Sequence, residues 1–347
     1  MQNKNRYIIS KVFKINLMIL ALLVLHVGVA IGQKPQFTQF YASPLYLAPS
    51  FTGATDGSRA ALNYRNQWPE IPGAFVTYAF SLDHFFHNYN SGLGLFILRD
   101  EAGSARLGNT TAGILYSYVF NADHRWTMRP GIHLNYTQQT IDYSRLIFGD
   151  QLSIDGNHSP NSLITLPPME NVAYFDASFS WLAYTSDIWI GITADHLMMP
   201  NQSLTGQNDR IPLKFSLFGG YKWLLSGTYA GIEEESISTA FLYKNQGSFN
   251  QLDIGVYWFK YPFSLGLLYR GIPIFNNPVY GIANNDAVAI IGGLRTKNLR
   301  IGYSYDFTIS RLMTSTGGAH EISLIYHFNQ GAPVKKPGKI PCPANQF

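Results

Sequence analysis

After Gly53 the residues alternate with a period of two, in runs of about ten, and nothing else in the chain constrains its fold as tightly. The clearest run sets Leu299, Ile301, Tyr303, Tyr305 and Phe307 against Arg300, Gly302, Ser304, Asp306 and Thr308. Successive side chains of a strand point to opposite faces. This run therefore has one apolar, aromatic face and one small, polar or charged face. The same holds for Leu213, Phe215, Leu217, Gly219, Tyr221 and Trp223 against Lys214, Ser216 and Gly220. It holds for Leu252, Ile254, Val256 and Trp258 against Asp253 and Gly255, and for Trp126, Met128, Ile132, Leu134 and Tyr136 against Thr127, Arg129, His133 and Asn135.

A soluble β-sandwich also alternates. Three features favour a membrane barrel. Runs of about ten residues match the tilted strand that crosses a bilayer, whereas globular strands are about five or six residues long. Tyr, Trp and Phe gather near run ends, as an interfacial girdle requires. Charged residues are only 13% of the chain against 46% hydrophobic and 15% aromatic, where a soluble domain carries about 25% charge. The expected fold is all-β: a transmembrane antiparallel barrel of about fourteen strands, from 57–67 through 318–328, an even number as such barrels require. The net charge of +4 is mild and unclustered, so nucleic acid is not an expected partner. The apolar strand faces imply outer-membrane lipid instead.

The flanks divide the chain further. Lys4, Arg6, Lys11 and Lys14 precede an apolar run from Ile15 to Val29, and Ala30 and Gly32 stand where a signal peptidase needs small residues. Residues 1–32 read as a signal peptide cleaved before Gln33, 33–56 as an N-terminal periplasmic or plug segment, 57–328 as the barrel, and 329–347 as a Pro- and Lys-rich periplasmic tail. The tail's composition suits an extended segment that hangs free or docks. Its candidate docking residues are Lys335, Lys336, Cys342 and Pro343. Cys342 is the single cysteine and makes no internal disulfide.

Connection lengths carry orientation, because periplasmic turns of such barrels are short and outer loops long. Asn121–Asp123, Thr185–Ser186, Lys260–Pro262 and Thr296–Asn298 read as short, and 139–171, 199–210 and 272–285 as long. Counting sides along the fourteen strands does not bring every short connection to one side. The stretch from Leu225 to Ser236 fits only if a strand nearby is miscounted.

No motif marks a catalytic site. There is no Gly-x-Ser-x-Gly elbow, His-Glu-x-x-His pair or phosphate loop. His133 stands on a lumen-side position without a marked Ser partner. Asp150 to Asp155, with Asn157 and His158, lacks the spacing of a calcium loop. Glu233, Glu234 and Glu235 read as a solvated turn. No cofactor or metal is expected, and the protein is expected not to be an enzyme. Arg65 and Lys214 are barred from facing lipid, where an Arg costs about 2–4 kcal/mol at mid-membrane. They belong to the lumen or rim, as structural ion pairs with Asp or Glu, as channel-lining groups or as clamps on a plug.

The stretch Gln36 to Asp83 stands apart. Its first half, Gln36-Phe37-Thr38-Gln39-Phe40 and then Ser43-Pro44-Leu45-Tyr46-Leu47-Ala48-Pro49-Ser50-Phe51-Thr52-Gly53, is too rich in Pro and aromatics for an ordinary helix or central strand. Its second half carries Leu62-Asn63-Tyr64-Arg65-Asn66-Gln67-Trp68-Pro69, then Gly73 and Ser81-Leu82-Asp83. These blocks resemble the mature N-terminus of the PorP/SprF family, closer to its SprF-like group. The last strand, Glu321-Ile322-Ser323-Leu324-Ile325-Tyr326, and the basic tail with Cys342-Pro343 resemble that family too.

The resemblance implies an outer-membrane barrel of the type IX secretion system, partnered by other components of that machine. It also implies a large secreted surface protein, such as a gliding adhesin, received through its C-terminal signal domain and exported or anchored. No catalytic residues come with it. The positions it singles out as plug or partner contacts are Pro44, Leu45, Pro49, Phe51, Gly53, Tyr64, Arg65, Asn66, Gln67 and Trp68. The long loops 139–171, 199–210 and 272–285 are the expected docking face for the secreted protein. The second reading is a passive channel or hydrophobic-solute transporter with an N-terminal plug.

Overall fold

The computed structural model describes residues 35–55, 57–146, 149–151, 171–227, 235–277, 282–309, 316–328 and 342. Pro35–Ile272 with Asn285–Phe347 forms one compact unit. Its strands are β1 (Ser58–Gln67), β2 (Phe75–Phe86), β3 (Ser91–Ala102), β4 (Leu107–Tyr118), β5 (Phe120–Asn121), β6 (Thr127–Thr140), β7 (Val172–Tyr184), β8 (Ile188–Asp195), β9 (Lys214–Ser226) and β10 (Glu235–Gln246). They continue as β11 (Phe249–Lys260), β12 (Phe263–Asn277), β13 (Ile282–Arg295), β14 (Leu299–Thr308) and β15 (Ala319–Phe328), of which β12 from Pro273 on and β13 up to Asn284 fall outside this unit.

Strands pair with their sequence neighbours, except that β4 and β5 both pair with β6 and not with each other, and β1 also pairs antiparallel with β15, from Ser58↔Phe328 to Gln67↔Ala319. The sheet therefore closes on itself. The two-residue β5 continues the line of β4, so the wall has fourteen staves. Closure leaves no edge around most of the ring, which is what a sheet in lipid requires.

The period-two pattern maps onto the two faces of this wall. In β14, Ile301, Tyr303 and Phe307 are exposed outward, while Ser304 and Asp306 are buried inward. In β9, Phe215, Tyr221 and Trp223 face out and Ser216 and Lys222 face in. Aromatics cluster on the outer face at both barrel ends. Tyr64 meets Tyr78 at 5.2 Å and Tyr136 meets Phe175 at 5.2 Å at one end, and Tyr221 meets Trp223 at 4.5 Å and Tyr326 meets Phe328 at 6.0 Å at the other. Such belts suit the two polar–apolar boundaries of a bilayer.

One end, the terminal end, holds the start of β1 and the finish of β15. The opposite, loop end holds the turn from β1 to β2. The connections at Asn121–Asp123, Thr185–Ser186, Lys260–Pro262 and Thr296–Asn298 all lie at the terminal end, because the strands alternate strictly in direction. The expectation that they divide between sides is thereby corrected. No strand near Leu225 is miscounted either: β9 and β10 join at the terminal end, and the tight turn between β10 and β11 lies at the loop end. The expected loop 272–285 shrinks to 278–281, outside the described residues, because β12 runs on to Asn277 and β13 begins at Ile282. The backbone is extended on both sides of it.

Candidate functional site

Residues 35–55 lie inside the barrel. Pro44 and Pro49 each open a short helical turn, Pro44–Leu47 and Pro49–Phe51, after a 3-10 turn at Phe40–Ala42. Proline suits the first helical position, where its missing N–H costs nothing. These turns coil the segment into a compact body. Phe37, Leu45, Ala48 and Phe51 are buried in one apolar cluster with wall residues Phe96, Leu115, Leu182, Trp189 and Phe218. Phe51 meets Phe218 at 5.5 Å and Tyr41 meets Tyr257 at 5.2 Å. Wall glycines allow the approach. A Cβ on Gly92 would stand 2.2 Å from the Thr52 carbonyl oxygen, and one on Gly131 would stand 2.4 Å from the Ser50 nitrogen.

Two polar clamps hold the two ends of this body. The first lies toward the loop end and takes Thr38 and Gln39. The Thr38 and Gln39 amides donate to the Glu321 carboxylate at 2.7 and 2.9 Å. The Thr38 hydroxyl donates to Asp306 at 2.7 Å and accepts from Arg65 at 2.8 Å and Arg270 at 2.9 Å. The Gln39 side chain accepts from Ser323 at 2.7 Å. Arg65 bridges Asp306 at 2.7 Å and Glu321 at 3.1 Å. Arg270 bridges Asp306 at 3.1 Å and Asp253 at 3.4 Å. All of these carboxylates and guanidiniums are almost wholly buried, so each depends on its partners for charge balance.

The second clamp lies toward the terminal end and takes Phe51, Thr52 and Gly53. Arg129 donates to the Thr52 and Gly53 carbonyls at 3.0 and 2.6 Å. Arg59 donates to the Phe51 carbonyl at 3.0 Å and pairs with Asp83 at 2.9 Å. Asp83 accepts the Gly53 amide at 2.6 Å, and Ser117 donates to the Thr52 carbonyl at 2.6 Å. Gly53 has φ +62, and a Cβ there would meet Gly92 Cα at 2.8 Å. This is the left-handed region that glycine enters freely.

The resemblance-derived positions separate by strand parity. Pro44, Leu45, Pro49, Phe51 and Gly53 belong to the body in the lumen. Arg65 points inward to the first clamp, both a structural ion pair and a contact to residues 35–55. Tyr64 and Asn66, one residue to either side, lie on the outer face, and Gln67 ends β1 opposite Ala319. Trp68 turns the chain at φ 59, with its ring against Phe75 at 5.5 Å. Lys214 pairs with Asp195 at 3.0 Å, with its ammonium over the Tyr46 ring. His133 is packed beside Phe96 at 6.0 Å.

Cys342 is 1% exposed and belongs to the same apolar cluster as Phe37 and Phe51. Lys335, Lys336 and Pro343 lie outside the described residues, as do Asp155, Asn157, His158, Glu233 and Glu234. Residues 1–34, which include the expected cleavage site, also lie outside them. Glu321, Asp306, Arg270, Asp83, Arg129 and Arg59 were not singled out as contacts. The signal available for them was a charged residue at an inward strand position.

The fold is similar to those of solved outer-membrane barrels. The outer membrane protein Omp33 of Acinetobacter baumannii aligns with 79% of this chain and 99% of its own, at 8% identity and TM-score 0.42. A TodX deltaS2S3 mutant, a monoaromatic hydrocarbon channel, aligns with 82% of this chain and 94% of its own, at 12% identity and TM-score 0.43. The KdgM porin aligns with 77% and 99%, at 11% identity and TM-score 0.35. No curated protein matches the sequence. The family model for the type IX secretion system membrane protein PorP/SprF matches residues 29–326. That match spans the lumen segment, both clamps and nearly all of the barrel, and the chain belongs to the PorP/SprF family of type IX secretion outer-membrane proteins.

Proposed function

We propose that this barrel is a non-enzymatic receptor. It binds a large secreted surface protein through that protein's C-terminal signal domain and helps to export or anchor it. The observation that carries this reading is the filled lumen. Residues 35–55 are fastened at both ends by buried charges, in a chain whose family serves secretion. A barrel so filled acts through its surfaces, and connections on a rigid scaffold carry binding. In this reading the signal peptide is removed and the terminal end faces the periplasm. The loop end, with 139–171 and 199–210, faces outward to the secreted protein. The tail with Lys335 and Lys336 meets other secretion components, and the outer aromatic belts meet lipid.

The test is deletion of this chain followed by comparison of surface and released proteins. One large surface protein is expected to leave the surface, and restoring the chain is expected to return it. No change in any large surface protein would sink the reading. The second reading, a channel stoppered by residues 35–55, rests on the same lumen body. It predicts conductance or solute uptake by the purified barrel once that body is displaced, with no partner required.

A further inference from the structure

Strand parity turns the basic residues of the wall inward, with two exceptions. Of the Arg and Lys residues in the described strands, only Arg99 and Lys260 stand at outward positions. Lys260 ends β11 at the terminal end and pairs with Glu235 at 3.4 Å. Arg99 lies near the loop end of β3, outward with Leu95 and Ile97, while Leu98 and Asp100 are buried. An outward Arg is costly at mid-membrane and costs little at the lipid–water boundary, so the height of Arg99 decides its role.

Strand register fixes that height. Arg99 stands opposite Tyr78, Tyr78 opposite Tyr64, and Tyr64 opposite Ile322. Tyr64 and Tyr78 belong to the loop-end aromatic belt, so Arg99 stands at the polar–apolar boundary. The next outward row toward the terminal end, Ile97, Phe80, Leu62 and Leu324, is wholly apolar. The two rows line an open groove of about 270 Å³ on the outer face. Every residue lining it is described, and the β15–β1–β2–β3 ladders beneath it run unbroken.

The guanidinium at the upper end of this groove is held in place. Arg99 Nε and Nη2 donate to Glu101 at 3.2 and 3.1 Å, and Nη1 donates to Thr110 at 2.6 Å. It lies over Gly108, where a Cβ would stand 2.6 Å from Nη2. Among the described residues these bonds take three of its five N–H groups and leave two for a ligand. The Arg99 side chain is 36% exposed.

We propose that this groove holds one phosphate-bearing acyl lipid of the outer leaflet, a glycolipid of the lipid A type. One acyl chain lies over Leu62, Phe80 and Ile97, and a phosphate meets Arg99. The outward rows of a barrel in a bilayer contact lipid, and an apolar row takes hydrocarbon alone. A guanidinium at headgroup height adds a charge-assisted contact that only an anionic headgroup satisfies. The groove takes part of one chain, so the headgroup decides which lipid stays. Tyr64, a resemblance-derived position on the outer face, thereby gains a place beside that headgroup. The choice of leaflet rests on the orientation in the receptor reading above, with the loop end outward, and the site needs no secreted protein.

The experiment uses the full barrel, purified and stripped of lipid in a mild detergent. It is titrated with lipid A, with dephosphorylated lipid A and with phosphatidylethanolamine, and native mass spectrometry counts the lipids retained. One lipid A is expected per barrel, with the dephosphorylated form held about tenfold more weakly. Arg99→Ala is expected to abolish that difference. Gly108→Ala keeps the guanidinium but displaces it, and is expected to weaken lipid A while leaving the dephosphorylated form unchanged. Leu62→Trp fills the groove and is expected to weaken both. Lys260→Ala, which removes the other outward cation, is expected to change neither. Heat-modifiable migration on gels verifies that each variant is a folded barrel. If Leu62→Trp fails to fold, Arg99→Ala and the comparison of the two lipids decide.

Equal retention of lipid A and its dephosphorylated form by the natural barrel overturns the proposal, as does full retention of lipid A by folded Arg99→Ala. Retention of phosphatidylethanolamine above lipid A assigns the groove to the inner leaflet, and overturns both the proposal and the orientation it rests on. The receptor reading is decided apart from these outcomes. Loss of a surface protein on deletion, with no selective lipid retention, removes the lipid site alone. Selective retention of lipid A with no surface protein lost removes the receptor reading alone.

Discussion

The two clamps grip the same segment through different groups of it. At Thr38 and Gln39 the wall supplies carboxylates to the segment's amides, and it reads two side chains, the Thr38 hydroxyl and the Gln39 amide. At Phe51 to Gly53 the wall supplies guanidiniums and a hydroxyl to carbonyls and one carboxylate to the Gly53 amide, and it reads nothing but backbone. The first clamp thus depends on what residues 38 and 39 are. The second depends on where the chain runs, and only Gly53 is constrained in identity. A hydrogen bond to a buried charge contributes about 1.5–3 kcal/mol, so both clamps are strong. They differ in which partner, wall or segment, carries the specificity.

Removing the wall's charges is the largest blow and strikes both clamps alike. Glu321→Ala leaves Arg65 with one carboxylate fewer and strips the Thr38 and Gln39 amides of their acceptor. Asp83→Ala does the same to Arg59 and the Gly53 amide. Breaking a buried ion pair from one side costs about 3–5 kcal/mol. Each variant is expected to lower the urea midpoint of the lipid-reconstituted barrel by that equivalent. A small effect from either one would show that its clamp is solvated.

Gly53→Ala comes next and tests the second clamp from the segment's side. A non-glycine residue at this φ costs about 1–3 kcal/mol. The added Cβ would also press on backbone at Gly92, where overpacking costs a further ~1–3 kcal/mol. Backbone cannot swing aside as a side chain can. The expected outcome is a barrel that still folds, with residues 35–55 newly open to protease. Unchanged protease resistance would mean that the carbonyl grip of Arg129 tolerates a shifted chain.

Much of this architecture was legible in the sequence. Alternation in runs of about ten gave the barrel and its stave number, and strand parity put Arg65, Asp306 and Arg129 on the inner face. The block at residues 36–53 stood out because Pro44 and Pro49 cannot sit inside a strand ladder. What alternation could not supply was which inward charges meet. Thr38 reaches Asp306 and Glu321 across separations of 268 and 283 residues, contacts set by ring closure through β1 and β15. Parity places each residue on a face but says nothing of its height relative to a segment that crosses the lumen. Cys342 was illegible for a different reason: a Pro- and Lys-rich neighbourhood reads as solvated, yet the Cys342 side chain lies in the buried apolar cluster.

The finest test makes the same substitution in both clamps. Thr to Val keeps the β-branched shape and removes only the hydroxyl. At position 38 that hydroxyl bonds Asp306, Arg65 and Arg270, and its loss leaves buried charges short of a partner. Thr38→Val is expected to cost about 1–3 kcal/mol, read from the urea midpoint. At position 52 the hydroxyl is buried without a hydrogen-bond partner among the described residues, because the clamp takes the Thr52 carbonyl instead. Thr52→Val replaces an unsatisfied polar atom with a methyl group, so its expected effect lies between no change and a gain of about 1 kcal/mol. Equal losses at the two positions would break the distinction between a clamp that reads side chains and one that reads backbone. A loss confined to position 38 would place the segment's sequence specificity at its first clamp, beside Glu321 and Asp306.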